Sequence, residues 1–379
     1  MSHGMHPLHC IIPPYMLQEI AQRGTPAQRV VALANLTLSA EVRGYRLALA
    51  SVEGFRPKPL VAQKERVVYD AGNGTSLPGR KARGEADPAT GDAAVDEAFD
   101  GSGATYDLFH DVYGRRSIDN QGLRLDSTVH FQKGYDNAFW NGRQMVYGDG
   151  DEDLPEPERL FNRFTIAIDI IGHELTHGVT QFEANLVYRN QPGALNESIS
   201  DVFGSLVKQH SLGQTAREAD WIIGAGLFTV NVNGQGIRSM KAPGTAYDDP
   251  VLGRDPQPAH MRDFKDVSYD NGGVHINSGI PNHAFYVTSF ELDGFAWEKS
   301  GRIWYTALTD YLNSTSDFQD AANKTYTIAG QLFGSGSLEQ QAVRNGWAEV
   351  GITAQIDDTP PPPPEPQGCW PAVKAMLGF

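Results

Sequence analysis

Only two cysteines, Cys10 and Cys369, occur in 379 residues, and they stand at opposite ends of the chain. So sparse a supply excludes a disulfide scaffold and the paired-cysteine zinc motifs. One bridge between the termini would be allowed, but two free thiols is the simpler reading. No apolar run approaches the ~20 consecutive residues that a membrane span requires. The segment Met1 to Arg23 has no basic patch followed by an apolar core, so no signal peptide of the usual kind is read there. The protein is therefore expected either to stay in the cytoplasm or to be secreted by a non-conventional route. Positive charge is also scarce, with 31 Lys plus Arg against 46 Asp plus Glu and a formal net charge of -15. Such a surface repels polyanions and argues against nucleic acid and anionic membranes as partners. The chain shows no internal repeat.

What is present is an ordinary globular composition, 40% hydrophobic and 20% charged, long enough for roughly two domains. The chain divides into four zones. Met1 to Gly54 opens with Cys10-Ile11-Ile12-Pro13-Pro14-Tyr15-Met16-Leu17, whose two prolines favour an extended backbone. From Leu17 to Leu49 apolar residues recur at spacings of three and four, interrupted at Gly24-Thr25-Pro26, which reads as a helix stop and a new start. Phe55 to Glu158 is rich in Gly, Asp, Asn and aromatics. Its short alternating runs at 65–69 and 127–131 read as strands between turns such as Gly72-Asn73-Gly74. Arg159 to Ile356 carries longer periodic segments and reads mainly as helices. The end holds a five-proline run, Pro360 to Pro364, a spacer that either docks on a proline-binding module or is a bare tail.

The strongest local signal is His173-Glu174-Leu175-Thr176-His177, within an apolar-periodic stretch expected to be helical from Phe161 to Phe182. Four residues on a helix is about 400° of rotation, so the two imidazoles project from nearly the same angle, one turn apart, and can chelate one ion. Glu174 is turned about 100° from His173, beside the metal rather than on it, where it can accept a proton from a water. Two surface histidines would give the same pentad. A second motif bears on the choice: Asn196-Glu197-Ser198-Ile199-Ser200-Asp201 follows nineteen residues after His177 and opens another apolar-periodic segment. A zinc hydrolase wants three protein ligands and an open position, and Glu197 can be the third. Asp201, four residues on, is placed to receive the outer N–H of a ligand imidazole.

These motifs, in this order, resemble the thermolysin family of zinc endopeptidases. The resemblance extends from about Glu65 to Ile352 and includes Asn137-Ala138-Phe139-Trp140-Asn141-Gly142, Val146-Tyr147-Gly148-Asp149-Gly150-Asp151 and Asp270-Asn271-Gly272-Gly273-Val274-His275. It implies an α+β fold with a strand-rich N-terminal lobe, a helical C-terminal lobe and the zinc cleft between them. The lobes would be residues 55–182 and 183–356, preceded by a short pro-segment (1–54) and followed by a tail (357–379).

Carried over by position, the resemblance implies His173, His177 and Glu197 as zinc ligands and Glu174 as general base. His275 and Tyr188 would stabilise the oxyanion, Asp270 would orient His275, and Asp201 would support a ligand histidine. Asn137 and Ala138 would hold the substrate backbone like an added strand, and Arg238 would grip a substrate carbonyl. Phe161, Phe164, Ile170 and Ile237 would form the apolar pocket for the side chain after the scissile bond, giving cleavage before Leu, Phe, Ile or Val. The expected partners are protein or peptide substrates and the chain's own pro-segment, acting on a monomer. A non-catalytic peptide-binding relative is the competing function, and an aminopeptidase-type zinc hydrolase a weaker one.

Two departures from the family pattern carry further expectations. At the paired calcium site Asp169 and Asp220 match, but Lys208, Ile222 and Ala225 stand where three further carboxylates are expected. A site that loses three acids and gains a cation should not hold two calcium ions, and the Lys208 ammonium would stand in for them, pairing with Asp169 and Asp220. The acidic stretch Asp149 to Glu158 could bind calcium elsewhere or be a solvated charge run. The N-terminal zone resembles the short pro-segment of protealysin-like members, with Pro13, Pro14 and Tyr15 lying along the cleft. Cys10 or His9 would then reach the open zinc position, or Cys10 would simply be a buried or free thiol. Maturation is expected between Ser39 and Pro59.

Overall fold

The computed structural model describes residues 9–50 and 63–357. The proline run, Cys369 and part of the expected maturation window lie outside the described residues. Alternating runs build the strand-rich half, a six-stranded sheet of β1 (His9–Cys10), β2 (Arg66–Asp70), β3 (Arg80–Gly84), β4 (Leu125–Val129), β5 (Ala138–Trp140) and β6 (Met145–Tyr147). Their order is β1-β5-β6-β4-β2-β3, with β2–β4 and β4–β6 parallel and the other neighbours antiparallel. The two runs read as strands are β2 and β4.

Three helical segments lead into and through this half. The N-terminal zone forms α1 (Pro14–Arg23) and α2 (Pro26–Ala50), which meet at the expected break. The extended backbone ends at Pro13, however. Pro14 opens α1, where its fixed φ and missing N–H cost nothing, so Tyr15 to Leu17 are helical rather than extended. Met16, Leu17 and Ile20 bury one face of α1. The third segment, α3 (Ala93–Asp107), was not anticipated in a zone read as strands and turns. Its Gly101-Ser102-Gly103 is poor helix material. Packing overrides that propensity, because a Cβ on Gly101 would stand 2.4 Å from Ile171 Cδ1. Asp92 caps the start by accepting from the backbone N–H of Ala94 and Val95.

The helical half starts with α4 (Ile168–Phe182) and α5 (Asn190–Leu212), followed by α6 (Asp270–Asn277), α7 (Gly279–Leu292), α8 (Ser300–Thr306), α9 (Phe318–Phe333) and α10 (Leu338–Glu349). The paired-histidine helix is shorter than expected. Phe161 lies in an isolated bridge to Phe228, and Phe164 in a single 3-10 turn, so helix begins only at Ile168. Apolar spacing persists through 161–167 because those side chains enter the same core, not because they share a helix. Glycines bring α4 and α5 together: a Cβ on Gly204 would stand 2.4 Å from the Asp169 carbonyl oxygen. Between α5 and α6, the short ladder of β7 (Ile222–Ile223) and β8 (Arg238–Ser239) returns the chain to the junction of the two halves. Among the described residues no helix is long and apolar enough to cross a membrane.

Helix α2 rests on the loop before β5. Asn35 is fully buried there; its Nδ2 donates to the Gly134 carbonyl at 3.0 Å, and its Oδ1 accepts from Asp136 N at 3.1 Å. Asp136 is itself buried, and its carboxyl hydrogen-bonds that of Asp151, which accepts the backbone N–H of Leu160 and Phe161. Burial, with Asp151 and Asp153 nearby, holds the Asp136 carboxyl well above the usual range. A carboxyl whose pKa is raised by folding adds stability at low pH that is lost as pH rises through the folded value. Asp136→Asn keeps a donor without a titrating proton. Its unfolding free energy relative to wild type should therefore rise steadily with pH above about 4, as urea titrations from pH 4 to 8 would read. A pH-independent difference would remove the assigned proton.

Candidate active site

His173 and His177 project from α4 one turn apart, with their Nε2 atoms 3.0 Å from each other. Glu197, on α5, places Oε2 3.5 Å from His173 Nε2 and Oε1 3.4 Å from His177 Nε2. All three are buried, and they are the one such cluster among the described residues whose ligand atoms lie within 4.8 Å of each other. Tetrahedral zinc with bonds of ~2.0–2.1 Å separates its ligands by roughly 3.3 Å, so the three atoms already hold the spacing of its corners. Glu197 Oε2 is buried without a hydrogen-bond partner, as an oxygen reserved for a cation would be. Burial and the neighbouring His173 push the His177 imidazole well below its ordinary pKa, into the neutral form that ligates metal. The residues present fit zinc.

Around the cluster the other expected groups converge. Glu174, fully buried, accepts from the Trp140 backbone N–H of β5 at 3.0 Å, which ties its carboxylate to the sheet edge. The Tyr188 hydroxyl donates to Glu197 and lies 3.0 Å from His275 Nε2. Asp270 holds His275 twice: Oδ1 is 2.6 Å from Nδ1, and Oδ2 accepts the backbone N–H at 2.9 Å. That doubled grip needs a tight curl. Asp270, Asn271, Gly272 and Gly273 all have positive φ, between 51° and 86°, so the first turn assigned to α6 is a left-handed loop. At Gly272 a Cβ would collide with the Asn190 side chain. Burial disfavours the imidazolium of His275, but Glu197 and Asp270 outweigh it and push the group up to about 9. A dication on the three ligands would oppose that shift.

Asp201 lies behind the ligands, with Oδ1 2.8 Å from His173 Nδ1. Arg238, expected only to grip substrate, is also its partner: Nε and Nη2 donate to the two Asp201 oxygens at 2.8 and 2.7 Å. Asn282 adds a third donor at 2.8 Å. Burial would raise the Asp201 carboxyl, but Arg238 and His173 hold it well below the usual range. Asn282 was not singled out in the sequence. Neither were Asn196 and Ser200, whose side-chain oxygens lie 2.8 and 3.0 Å from His177 Nδ1. Asn196 adjoins a ligand and Ser200 is one helical turn after it, so helical spacing offered a signal for both. Asn282 comes from α7, for which local spacing offered none.

Phe161, Phe164, Ile170 and Ile237 are all buried in one apolar cluster that also takes in Ile11. The Phe161 and Phe164 rings lie 6.0 Å apart, and Ile170 and Ile237 converge on Gly224. The segment expected to be a pro-segment reaches the site through its main chain. Cys10 packs its side chain with Phe131, Tyr135, Phe139 and Val146, outside the ligand cluster, while its carbonyl oxygen lies 3.2 Å from His275 Nε2. Cys10 is thus not one of the residues whose ligand atoms close on one another, although its thiol is near enough to act electrostatically on Tyr188. Asn137 meets Ile12 with both ends of its amide, at 2.9 and 3.2 Å, and Tyr15 hydrogen-bonds Tyr247. Further off, Lys208 Nζ donates to Asp169, Asp220 and the Ile222 carbonyl at 3.1, 2.9 and 3.0 Å. Burial lowers the Lys208 pKa, but the two carboxylates outweigh it and keep the ammonium charged. Ala225 offers this cage no side-chain oxygen.

Comparison with known proteins agrees with this geometry. The thermolysin metallopeptidase catalytic domain matches residues 55–181, and the alpha-helical domain of the same family matches 184–352. An extracellular metalloprotease of Pectobacterium carotovorum is 47% identical over 351 residues, covering 91% of this chain and 97% of that protein. A thermolysin of Alicyclobacillus acidocaldarius is 41% identical over 75% of this chain and 50% of that protein. Among solved structures, the precursor of protealysin from Serratia proteamaculans superposes with a TM-score of 0.82 at 50% identity, covering 91% of this chain and all of that one.

The Asp201 contacts make a quantitative expectation. Asp201→Asn removes the charge that orients His173 and leaves Arg238 buried without its counter-ion. Zinc affinity, measured by competition with a chromogenic chelator, should fall about 10- to 100-fold. Unchanged affinity would mean that Asp201 does not support the ligand set.

Proposed function

Because the chain belongs to the thermolysin family of metallopeptidases, we propose that it is the latent precursor of an exported, monomeric, neutral zinc endopeptidase that cuts proteins before apolar residues. In this reading residues 1–54 are the pro-segment, 55–182 and 183–356 the two lobes of the enzyme, and 357–379 a tail. The observation that carries it is the convergence of two imidazoles and a carboxylate with a buried acid beside them and an imidazole–phenol pair across from them. Export rests on the extracellular designation of the Pectobacterium relative.

When bound, zinc supplies a Lewis acid and makes a water acidic near neutral pH. Glu174 would take a proton from the attacking water and deliver it to the leaving nitrogen. His275 and Tyr188 donate to the oxygen that becomes negative; one such donor is typically worth about 2.7–4 kcal/mol. Asp270 keeps the His275 ring aimed. Arg238, with Asp201 fixing its fork, donates to the carbonyl one residue further on, while Asn137 and Ala138 pair with the peptide backbone. Phe161, Phe164, Ile170 and Ile237 form the floor that favours Leu, Phe, Ile or Val just after the cut.

Glu174→Ala should retain zinc at one per chain by elemental analysis yet hydrolyse peptides on the order of a thousandfold more slowly. Normal turnover by the zinc-replete variant would overturn the base assignment. A peptide library cut before acidic or basic residues would overturn the pocket.

We further read Lys208 as the replacement for calcium between Asp169 and Asp220. Thermal stability should then be indifferent to a calcium-selective chelator that spares zinc. Lys208→Ala should destabilise the chain by about 3 kcal/mol, because Asp169 is left as an unpaired buried charge. A calcium-dependent melting temperature in the unmodified chain would contradict this.

A further inference from the structure

The pro-segment is bound in a register that can be read atom by atom. β1 runs antiparallel to β5, with His9 opposite Trp140 and Cys10 opposite Phe139. Past the strand, Ile11 N donates to the Ala138 carbonyl at 3.2 Å, and Ile12 N donates to Asn137 Oδ1 at 2.9 Å. Asn137 Nδ2 returns a bond to the Ile12 carbonyl at 3.2 Å. From the opposite wall, Arg238 Nη1 donates to the Ile11 carbonyl at 3.4 Å, and His275 Nε2 stands 3.2 Å from the Cys10 carbonyl oxygen. His275, Arg238, Ala138 and Asn137, which the proposed function assigns to a substrate backbone, thus meet successive backbone groups of residues 10 to 12. The carbonyl at His275 fixes the frame, and the residue after it, Ile11, is an aliphatic side chain with no exposed surface.

We infer that the Cys10–Ile11 peptide bond is held as a substrate and is hydrolysed by the chain's own site, leaving a nicked precursor that stays latent. The inference rests on the function proposed above. In the step, the oxygen of a water bonds to the Cys10 carbonyl carbon and the bond from that carbon to Ile11 N breaks. Glu174 carries one proton from the water to the departing nitrogen, and the water's second proton passes to the same amine, which leaves as an ammonium. Cys10 becomes a C-terminal carboxylate and Ile11 gains an amino terminus, with no change of oxidation state.

The two products differ in what holds them. Among described residues, the leading fragment is anchored by the two-residue strand and the Cys10 contacts. The trailing side runs straight into α1, whose Met16, Leu17 and Ile20 are buried, and then into α2. There Gln28 donates to the Glu158 carbonyl, Thr25 to the Glu158 carboxylate, and Asn35 to Gly134. Ile11 and Ile12 therefore remain in the cleft as a tethered product, and the first cut sheds the segment that ends at Cys10 without opening the site.

The test follows the mass of the purified, zinc-loaded full chain over time. A fragment ending at Cys10 and a new N-terminus at Ile11 should appear at a rate independent of protein concentration, while casein hydrolysis stays low. Glu174→Ala should show neither product. Ile11→Asp should slow the cut at least about tenfold, and Ile11→Leu should retain it. In the metal-free chain the Ile11 and Ile12 amides should be protected from hydrogen exchange, and Ile11→Asp should lose that protection. The inference is overturned if Cys10–Ile11 stays intact while the same preparation, after its pro-segment is trimmed by an added protease, hydrolyses a blocked apolar peptide. Unprotected amides in the metal-free chain would overturn the register, and full casein hydrolysis on nicking alone would overturn the tethered product. If the trimmed chain also fails on the blocked peptide, the endopeptidase reading falls, and this inference with it.

Discussion

One buried carboxylate, Asp201, is shared by four parts of the molecule. It sits on α5, touches a ligand histidine of α4, pairs with Arg238 of β8 and takes a third hydrogen bond from Asn282 of α7. A lone ionised carboxyl would not survive such burial. Here its charge is met by the Arg238 guanidinium in a two-pronged bond, the geometry in which buried ion pairs are strongest. The same arginine reaches the chain lying in the cleft. In the proposed function, metal support and substrate grip would thus be set by one ion pair, and moving either helix would disturb both.

The electrostatics of the centre follow from that arrangement. Three buried ligands, a buried acid and a buried imidazole would be costly as a set without a cation among them. The close approach of α4 and α5, allowed by Gly204, forces the ligand atoms to the edges of a small tetrahedron. A dication there is therefore part of the balance of charge and not an addition to a finished site. At the neighbouring acidic cage the balance is struck differently: Lys208 brings its own positive charge on a side chain. A covalently attached cation cannot be lost by dilution or chelation, at the cost of the desolvation that Asp169 and Asp220 must offset.

In the proposed precursor, latency and catalysis would use the same hydrogen bonds. The edge strand β5 offers its backbone to whatever extended chain arrives, and β1 arrives first because it is tethered. The pro-segment helices then bury their apolar faces and place Asn35 and Gln28 on the strand-rich half, so the strand in the cleft is held from both sides. Cys10 belongs to the aromatic cluster of Phe131, Tyr135 and Phe139, so backbone pairing and side-chain packing both seat the segment.

The amino-acid sequence by itself determined the candidate ligand cluster and the place of the acid beside it, because a helix places residues 173, 174 and 177 by rotation alone and the acid motif at Glu197 has the same local logic. It also determined the two-part layout, through the change from alternation to a longer period, and the break between α1 and α2. Tertiary structure decided the rest. It set where the helix of His173 begins, since apolar spacing records burial and not secondary structure. It made a helix of the glycine-rich α3, because close packing on Ile171 outweighed propensity. It gave Arg238 its second partner and supplied Asn282 from a distant helix. These contacts join residues 37 and 81 positions apart, and periodicity, which reports only on neighbours along one element, carries no information about separations that long-range packing alone brings to zero.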